Sequence, residues 1–193
     1  MDFPFLSASK IILDFLPPNS LLCLGNSQTI RLFDSLTKQE IGYWQKKNFE
    51  VLSQRGLSGI EGHLHMGLGA YQAKEHFHQA IAVFLGDISF LYDNNFWSSN
   101  FFPSSFSIPL LYFIFNDQKG SIFEKVAPNL PTEALNLIET KHNHQLLETF
   151  TLKGIESQSL SLKISQDDFS VQVQSFLEKL ISNPQMGLIE IGL

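Results

Sequence analysis

The sequence predicts an α/β fold: a doubly wound, mostly parallel sheet with helices on both faces. Two observations carry this. Apolar runs of strand length recur, SLLCLGN (20–26), QAIAVFLGD (79–87), IPLLYFIFND (108–117) and GLIEIGL (187–193). A strand covered on both faces reads as such a run rather than as an alternation of apolar and polar residues. Segments of helical period separate these runs, the order expected of βαβ units. A chain of 193 residues is long enough for one sizeable core and marginal for two, so a single domain over 1–193 is expected.

Element by element, SASKIILDFL has a Ser cap, a helical period and a Pro17-Pro18 stop, which predicts a short helix. SLLCLGN follows as a strand, and QTIRLFDSL as a helix starting at its end. FEVLSQRG (49–56) is a strand running into glycine. SGIEGHLHMGLGAYQAK is helical in period but rich in small residues, so something packs close to it. QAIAVFLGD is a strand, ISFLYDNNFWSS a helix, and IPLLYFIFND the most apolar strand. Residues 129–144 are weakly patterned. SLSLKIS (159–165) alternates as a half-exposed strand, DDFSVQVQSFLEKLIS has an Asp cap and a helical period, and GLIEIGL closes the sheet.

Composition narrows the function. A net charge of −6 and a pI near 5.4 supply no basic stripe, so neither nucleic acid nor an anionic membrane is an expected partner. The longest apolar run, Ile108–Phe115, is too short to span a bilayer. The N-terminus lacks the basic-then-apolar pattern of a secretory signal. A cytoplasmic protein is expected. The single Cys23 lies in an apolar run and reads as a buried, inert thiol. Phe is unusually frequent, at 18 residues, and part of it is expected on a face that a partner covers.

Ligands of doubly wound sheets bind outside the carboxyl ends of the strands. Four strand ends here carry glycine or polar motifs: GNS (25–27), SQRG (53–56), GD (86–87) and ND (116–117). Asp87 and Asp117 both follow apolar strands, with room for one helix and one strand between them, so their carboxylates can share a rim. Two carboxylates together repel unless a cation or a shared proton intervenes, and Mg²⁺ suits such a pair. The structural alternative for Asp87 is an N-cap on the following helix. His63 and His65, and His76 and His78, are i, i+2 pairs that point to different helix faces, so neither reads as a zinc site. Surface or structural roles are expected for all six histidines, including His142 and His144.

GDISFLYDNN, followed about 30 residues on by NDQKGSIF, resembles the two-part signature of thiamine-diphosphate enzymes. With GNSQTIRLFD and SQRGLSGIEG in the same order and spacing, the chain resembles the family of 2-succinyl-5-enolpyruvyl-6-hydroxy-3-cyclohexene-1-carboxylate synthases of menaquinone biosynthesis. The resemblance runs from about Ser9 to the terminus and matches the C-terminal, diphosphate-binding domain only.

The resemblance implies roles. Asp87, Asp117 and the Lys119 carbonyl would hold Mg²⁺, and Mg²⁺ the cofactor's diphosphate. Gly86 lets the backbone approach that diphosphate, and Ser89 with the helix N-terminus would donate to it. Ile122 and Phe123 match an apolar pair on the cofactor rings, and Ile60 a residue supporting the bent cofactor. Ser27, Arg31 and Arg55 match residues that hold the carboxylates of the 2-oxoglutarate-derived adduct, as bidentate guanidinium groups can. An ion pair with Asp34 is the structural alternative for Arg31.

The sequence also departs from the family. Asp117 replaces an amide, Lys119 replaces a glycine whose positive φ would strain a lysine, Gln118 replaces another polar residue, and Gln54 stands where Asn is usual. The lysine's charge can offset that of Asp117. The family's activating glutamate belongs to a separate pyrimidine-binding domain, so the resemblance implies no catalytic residue in this chain; Glu61 is not that glutamate. Partners in the intact enzyme would be 2-oxoglutarate, isochorismate, the N-terminal pyrimidine-binding domain and a second subunit. The isolated chain, a domain of a longer enzyme or a natural half, is expected to be inactive. Two other readings stand beside this one: a non-catalytic scaffold that keeps the fold without metal and cofactor, and an unrelated domain using two aspartates and Mg²⁺ for phosphoryl chemistry, against which the four motifs argue.

Overall fold

The computed structural model describes residues 4–39, 45–54, 59–73, 78–143, 146–147 and 155–193. Six strands form one sheet: β1 (Leu21–Leu24), β2 (Glu50–Ser53), β3 (Ile81–Gly86), β4 (Leu110–Asn116), β5 (Glu156–Ser161) and β6 (Met186–Gly192). Their order is β2-β1-β3-β4-β6-β5, and every pairing is parallel. The α/β doubly wound fold predicted from the apolar runs is therefore present. The chain leaves β1 toward β2 on one side and returns on the other as β3, so the winding reverses at β1. That reversal opens a crevice at the carboxyl ends of the strands.

The central strands alternate between two cores. Leu22, Leu24, Ala82, Phe84, Leu111, Phe113, Ile189 and Ile191 face helices α1 (Pro4–Phe15), α2 (Gln28–Gln39) and α7 (Gln166–Ser182). Cys23, Ile81, Val83, Leu85, Leu110, Tyr112, Ile114 and Leu188 face α3 (His63–Gln72), α4 (Asp87–Tyr92) and the 3₁₀ turn Asn94–Ser98. With side chains alternating along a strand, burial on both faces requires both sets to be apolar, which is why β3 and β4 read as unbroken runs. Much of the phenylalanine lies in these cores rather than on a partner-facing surface. Phe84 stacks on Phe113 at 4.7 Å and meets Phe33 at 4.6 Å. Among the described residues, the exposed large apolar side chains include only two phenylalanines, Phe101 and Phe123.

The small residues of α3 have a packing reason. A Cβ on Gly67 would lie 2.4 Å from Val83 Cγ2 and 3.0 Å from the Tyr112 hydroxyl, so the helix sits against β3 and β4 at a distance that only glycine permits. The Tyr112 hydroxyl donates to the Leu64 carbonyl at 2.9 Å and fixes that approach. Helix 88–99, expected as one element, is two. It breaks at buried Asp93, whose carboxylate accepts from the backbone N–H groups of Gly62 and Leu64. That carboxylate satisfies orphan donors at the start of α3, and tying α4 to another helix interrupts it. Two short helices join the list, α5 (Ile122–Val126) and α6 (Thr132–Ile138), the second inside the weakly patterned stretch. The alternating strand begins earlier than its pattern suggested, at Glu156, and forms the β5 edge.

No helix among the described residues is long and apolar enough to cross a membrane.

Candidate functional site

A cavity of about 830 Å³ opens at the carboxyl ends of β1, β3 and β4. Ser27, Arg31, Ile60, Gly86, Asp87, Ser89, Asp117, Ile122 and Phe123 all line it, together with Asn26, Gln28 and Thr29. Lys119 belongs to the loop beneath, and Arg55 lies outside the described residues. Strand register brings the two aspartates close: Gly86 of β3 is paired with Phe115 of β4, so Asp87 and Asp117 leave adjacent strand ends.

Asp87 is 3% exposed. The cap of α4 is Gly86, with no side-chain capping bond, so the N-cap alternative for Asp87 is not realised. Its carboxylate instead accepts from Ile88 N–H at 2.7 Å, from Gln118 N–H in the neighbouring loop at 2.8 Å, and lies 3.1 Å from His142 Nε2. Burial raises its pKa most and the charge of Asp117 raises it further, while the Ile88 and His142 bonds pull the other way and do not cancel the rise.

Asp117 has the opposite environment. One oxygen accepts from the N–H groups of Lys119 (3.1 Å) and Gly120 (2.8 Å). The other accepts from Ser121 N–H at 3.1 Å, from the Ser121 hydroxyl in a very short bond, and from Gln28 at 3.4 Å. Burial alone would raise its pKa, but these bonds together bring it below the usual carboxylate value. The side chain thus closes its own loop over 117–121. Left-handed backbone falls on Gln118 (φ 62°) and Gly120 (φ 65°), not on Lys119, so the strain expected of a lysine at that position is absent. The Lys119 ammonium turns to Glu124 and lies 3.7 Å from Glu139. Its carbonyl accepts from Thr140 N–H at 3.0 Å and keeps a second lone pair.

The other side of the cavity is set by a hub that sequence reasoning missed. Asn26 N–H donates to His63 Nε2 at 3.2 Å, so the His63 hydrogen sits on Nδ1, which bonds the Ile60 carbonyl at 2.8 Å. The Asn26 amide reaches the carbonyls of Gln54 and Gly59. Burial lowers the His63 pKa and keeps the ring neutral, as this pattern needs. His63 therefore fixes the loops that carry Ser27 and Ile60. The signal was present as GNS facing SGIEGH, but periodicity gives no partner for a helix-terminal histidine.

Ser27 is held at φ 66°, and its carbonyl accepts from Arg31 at 2.7 Å. Asp34 pairs with Lys38 at 2.7 Å, and the Arg31 guanidinium lies at the cavity wall rather than in the alternative ion pair with Asp34. His65 meets Phe96 edge-on at 5.1 Å, and His78 lies 3.1 Å from Glu50. His76 and His144 lie outside the described residues. Among the described residues no group of three or more acidic, histidine or cysteine side chains is placed to hold a metal.

Thiamine diphosphate with a divalent cation can be tested against this set. A Cβ on Gly86 would meet no atom within 4 Å, so the floor beside Asp87 is open to a ligand. Buried Asp87 and the second lone pair of the Lys119 carbonyl suit a hard cation. Ile60, Ile122 and Phe123 each add apolar surface to the cavity lining. These features fit the cofactor; the Asp117 carboxylate lines the same cavity and already accepts bonds from Lys119, Gly120, Ser121 and Gln28.

No protein-family model matches the chain. A 2-succinyl-5-enolpyruvyl-6-hydroxy-3-cyclohexene-1-carboxylate synthase of Christiangramia forsetii is 31% identical over 171 residues, 86% of this chain and 27% of that protein. The chain is a homologue of these synthases. The synthase of Mannheimia succiniciproducens is 30% identical over 176 residues, 91% of the chain and 28% of the relative. That of Actinobacillus succinogenes is 36% identical over 122 residues, 61% and 18%. The chain thus spans about a quarter of the length of the curated relatives it matches over most of its own length.

Proposed function

We propose that the chain is the C-terminal, diphosphate-binding domain of a thiamine-diphosphate-dependent synthase of menaquinone biosynthesis, which decarboxylates 2-oxoglutarate and adds the succinyl unit to isochorismate. The observation that carries this reading is that nine residues matched to the family's motifs, scattered from Ser27 to Phe123, line one cavity. When bound, the cofactor supplies the carbanion chemistry. The chain's residues bind and orient. Asp87 and the Lys119 carbonyl hold the Mg²⁺, with Asp117 beside them, and Gly86 and Ser89 receive the diphosphate. Ile60, Ile122 and Phe123 pack on the rings, and Ser27, Arg31 and Arg55 hold the substrate's carboxylates. Tyr92, Phe123, Val126 and Ile138 leave an exposed apolar rim on the cavity, which suits cover by a pyrimidine-binding domain of the same or a second subunit. The chain alone lacks that domain's glutamate and is inactive.

Engagement of Asp117 within its own loop favours the second reading, a scaffold that keeps the fold without the cofactor. Calorimetric titration of thiamine diphosphate with Mg²⁺ onto the chain mixed with its N-terminal region separates the two. Tight, metal-dependent binding supports the synthase. A well-folded complex that releases no heat rejects it in favour of the scaffold.

A further inference from the structure

We propose that His142 is the positioning residue for Asp87, holding the carboxylate so that a single lone pair faces a divalent cation. The inference rests on the cofactor reading above and concerns a residue that reading does not use. His142 stands 55 positions from Asp87 in the chain, in a stretch without helical or strand pattern.

The geometry is specific. The His142 and Asp87 side chains are 4% and 5% exposed, and Nε2 lies 3.1 Å from Oδ2. A carboxylate only accepts, so the imidazole hydrogen sits on Nε2. The imidazole is delivered by its own backbone: His142 N–H donates to the Gln118 carbonyl, and Thr140 N–H to the Lys119 carbonyl, both at 3.0 Å. The segment 139–142 is therefore laid along the loop that follows β4, and it joins Asp87 to that loop. Glu139, its side chain 4% exposed, faces Lys119 from the same segment.

The donor count then decides what Asp87 can do. A carboxylate offers about four lone-pair sites. Ile88 N–H takes one, and Gln118 N–H and His142 Nε2–H take two on the other oxygen. One site remains, on Oδ1, enough for monodentate ligation of one hard cation. Partners behind a ligand orient it, and their loss typically weakens metal binding by about 10–100-fold.

Two measurements on the 193-residue chain test this. The first needs no metal. Long-range ¹H–¹⁵N correlation spectra of the imidazoles should show His142 as the Nε2–H tautomer with a slowly exchanging proton, lost in Asp87→Ser. An Nδ1–H tautomer, or an Nε2 proton indifferent to Asp87→Ser, overturns the proposal. The second uses Mn²⁺ as the probe, with excess thiamine diphosphate, and reads free Mn²⁺ by electron paramagnetic resonance. His142→Ala should weaken Mn²⁺ binding about 10–100-fold. His142→Gln, whose amide can still donate, should recover most of it, with both variants unfolding cooperatively in urea. Unchanged or tighter binding by His142→Ala, or a glutamine variant no better than alanine, overturns positioning; tighter binding would make His142 a competitor of the metal. If His142→Ala fails to fold, the glutamine variant alone decides: Mn²⁺ binding within about threefold of wild type is expected, and a loss as large as that quoted for such partners refutes the role. A wild-type chain that shows the tautomer signature yet binds no Mn²⁺ overturns the metal-facing role and leaves the His142–Asp87 bond established; the cofactor reading is decided separately, by the titration with the N-terminal region present.

Discussion

Replacing Asp117 by the amide usual in the family tests what this side chain does in this chain. Asp117→Asn keeps one oxygen for the Lys119 and Gly120 N–H groups but places an NH₂ where the other oxygen accepts from Ser121 N–H, the Ser121 hydroxyl and Gln28. The hydroxyl can turn and accept; the Ser121 N–H cannot. A hydrogen bond to a charged acceptor contributes about 1.5–3 kcal/mol, and the bonds that survive lose their charge assistance. The variant should therefore be less stable by roughly 2–3 kcal/mol at neutral pH. With a urea m-value of about 2 kcal/mol/M the midpoint falls by about 1 M. The pH dependence has a definite sign. The folded pKa of Asp117 is depressed, so its stabilisation is present above the unfolded value of about 3.9 and lost as pH falls through the folded value. The gap between wild type and variant should close in acid. Urea titrations at pH 7 and in acid make the measurement. A variant as stable as wild type at pH 7 would refute the loop-closing role and return Asp117 to the cation.

Other outcomes follow from the same geometry. Carboxyl ¹³C titration should place Asp87 above and Asp117 below the ordinary aspartate value, since burial dominates one and hydrogen bonds the other; coincident midpoints would contradict the environments described. By linkage, the stability tied to Asp87 is full below its unfolded pKa and is lost as pH rises through its raised folded value, opposite to Asp117. Gly67→Ala should cost about 1–3 kcal/mol by overpacking against Val83 and Tyr112, seen as a lower midpoint in urea; a neutral result would mean that α3 can move off the sheet. Cys23, fully buried with its thiol pushed up to about 12, should ignore an aromatic disulfide reagent at pH 8 in the native chain and react once unfolded. Rapid native labelling would rule out the buried thiol.

The fold was legible in the sequence because its signals are local. Runs such as IAVFLG and LLYFIF need no partner to be read as doubly covered strands, and a glycine or polar residue at each strand end marks where a chain turns out of the sheet. The breaks were less legible. ISFLYDNNFWSS has a helical period throughout, yet Asp93 ends the first helix because its carboxylate serves the backbone of another one.

The sequence by itself determined the alternation of strands and helices, the rim on which Asp87 and Asp117 meet, and the homology that the four motifs carry. Tertiary structure alone decided which donors each carboxylate meets. Asp87 and Asp117 look alike in sequence, but one is buried beside a negative charge and the other accepts bonds from its own loop, so their pKa values move apart. It also decided that His63 and His142, unremarkable in their segments, face Asn26 and Asp87. Hydrogen bonds between residues 37 and 55 positions apart leave no periodicity, because their partners are chosen by strand order and loop path rather than by spacing along the chain.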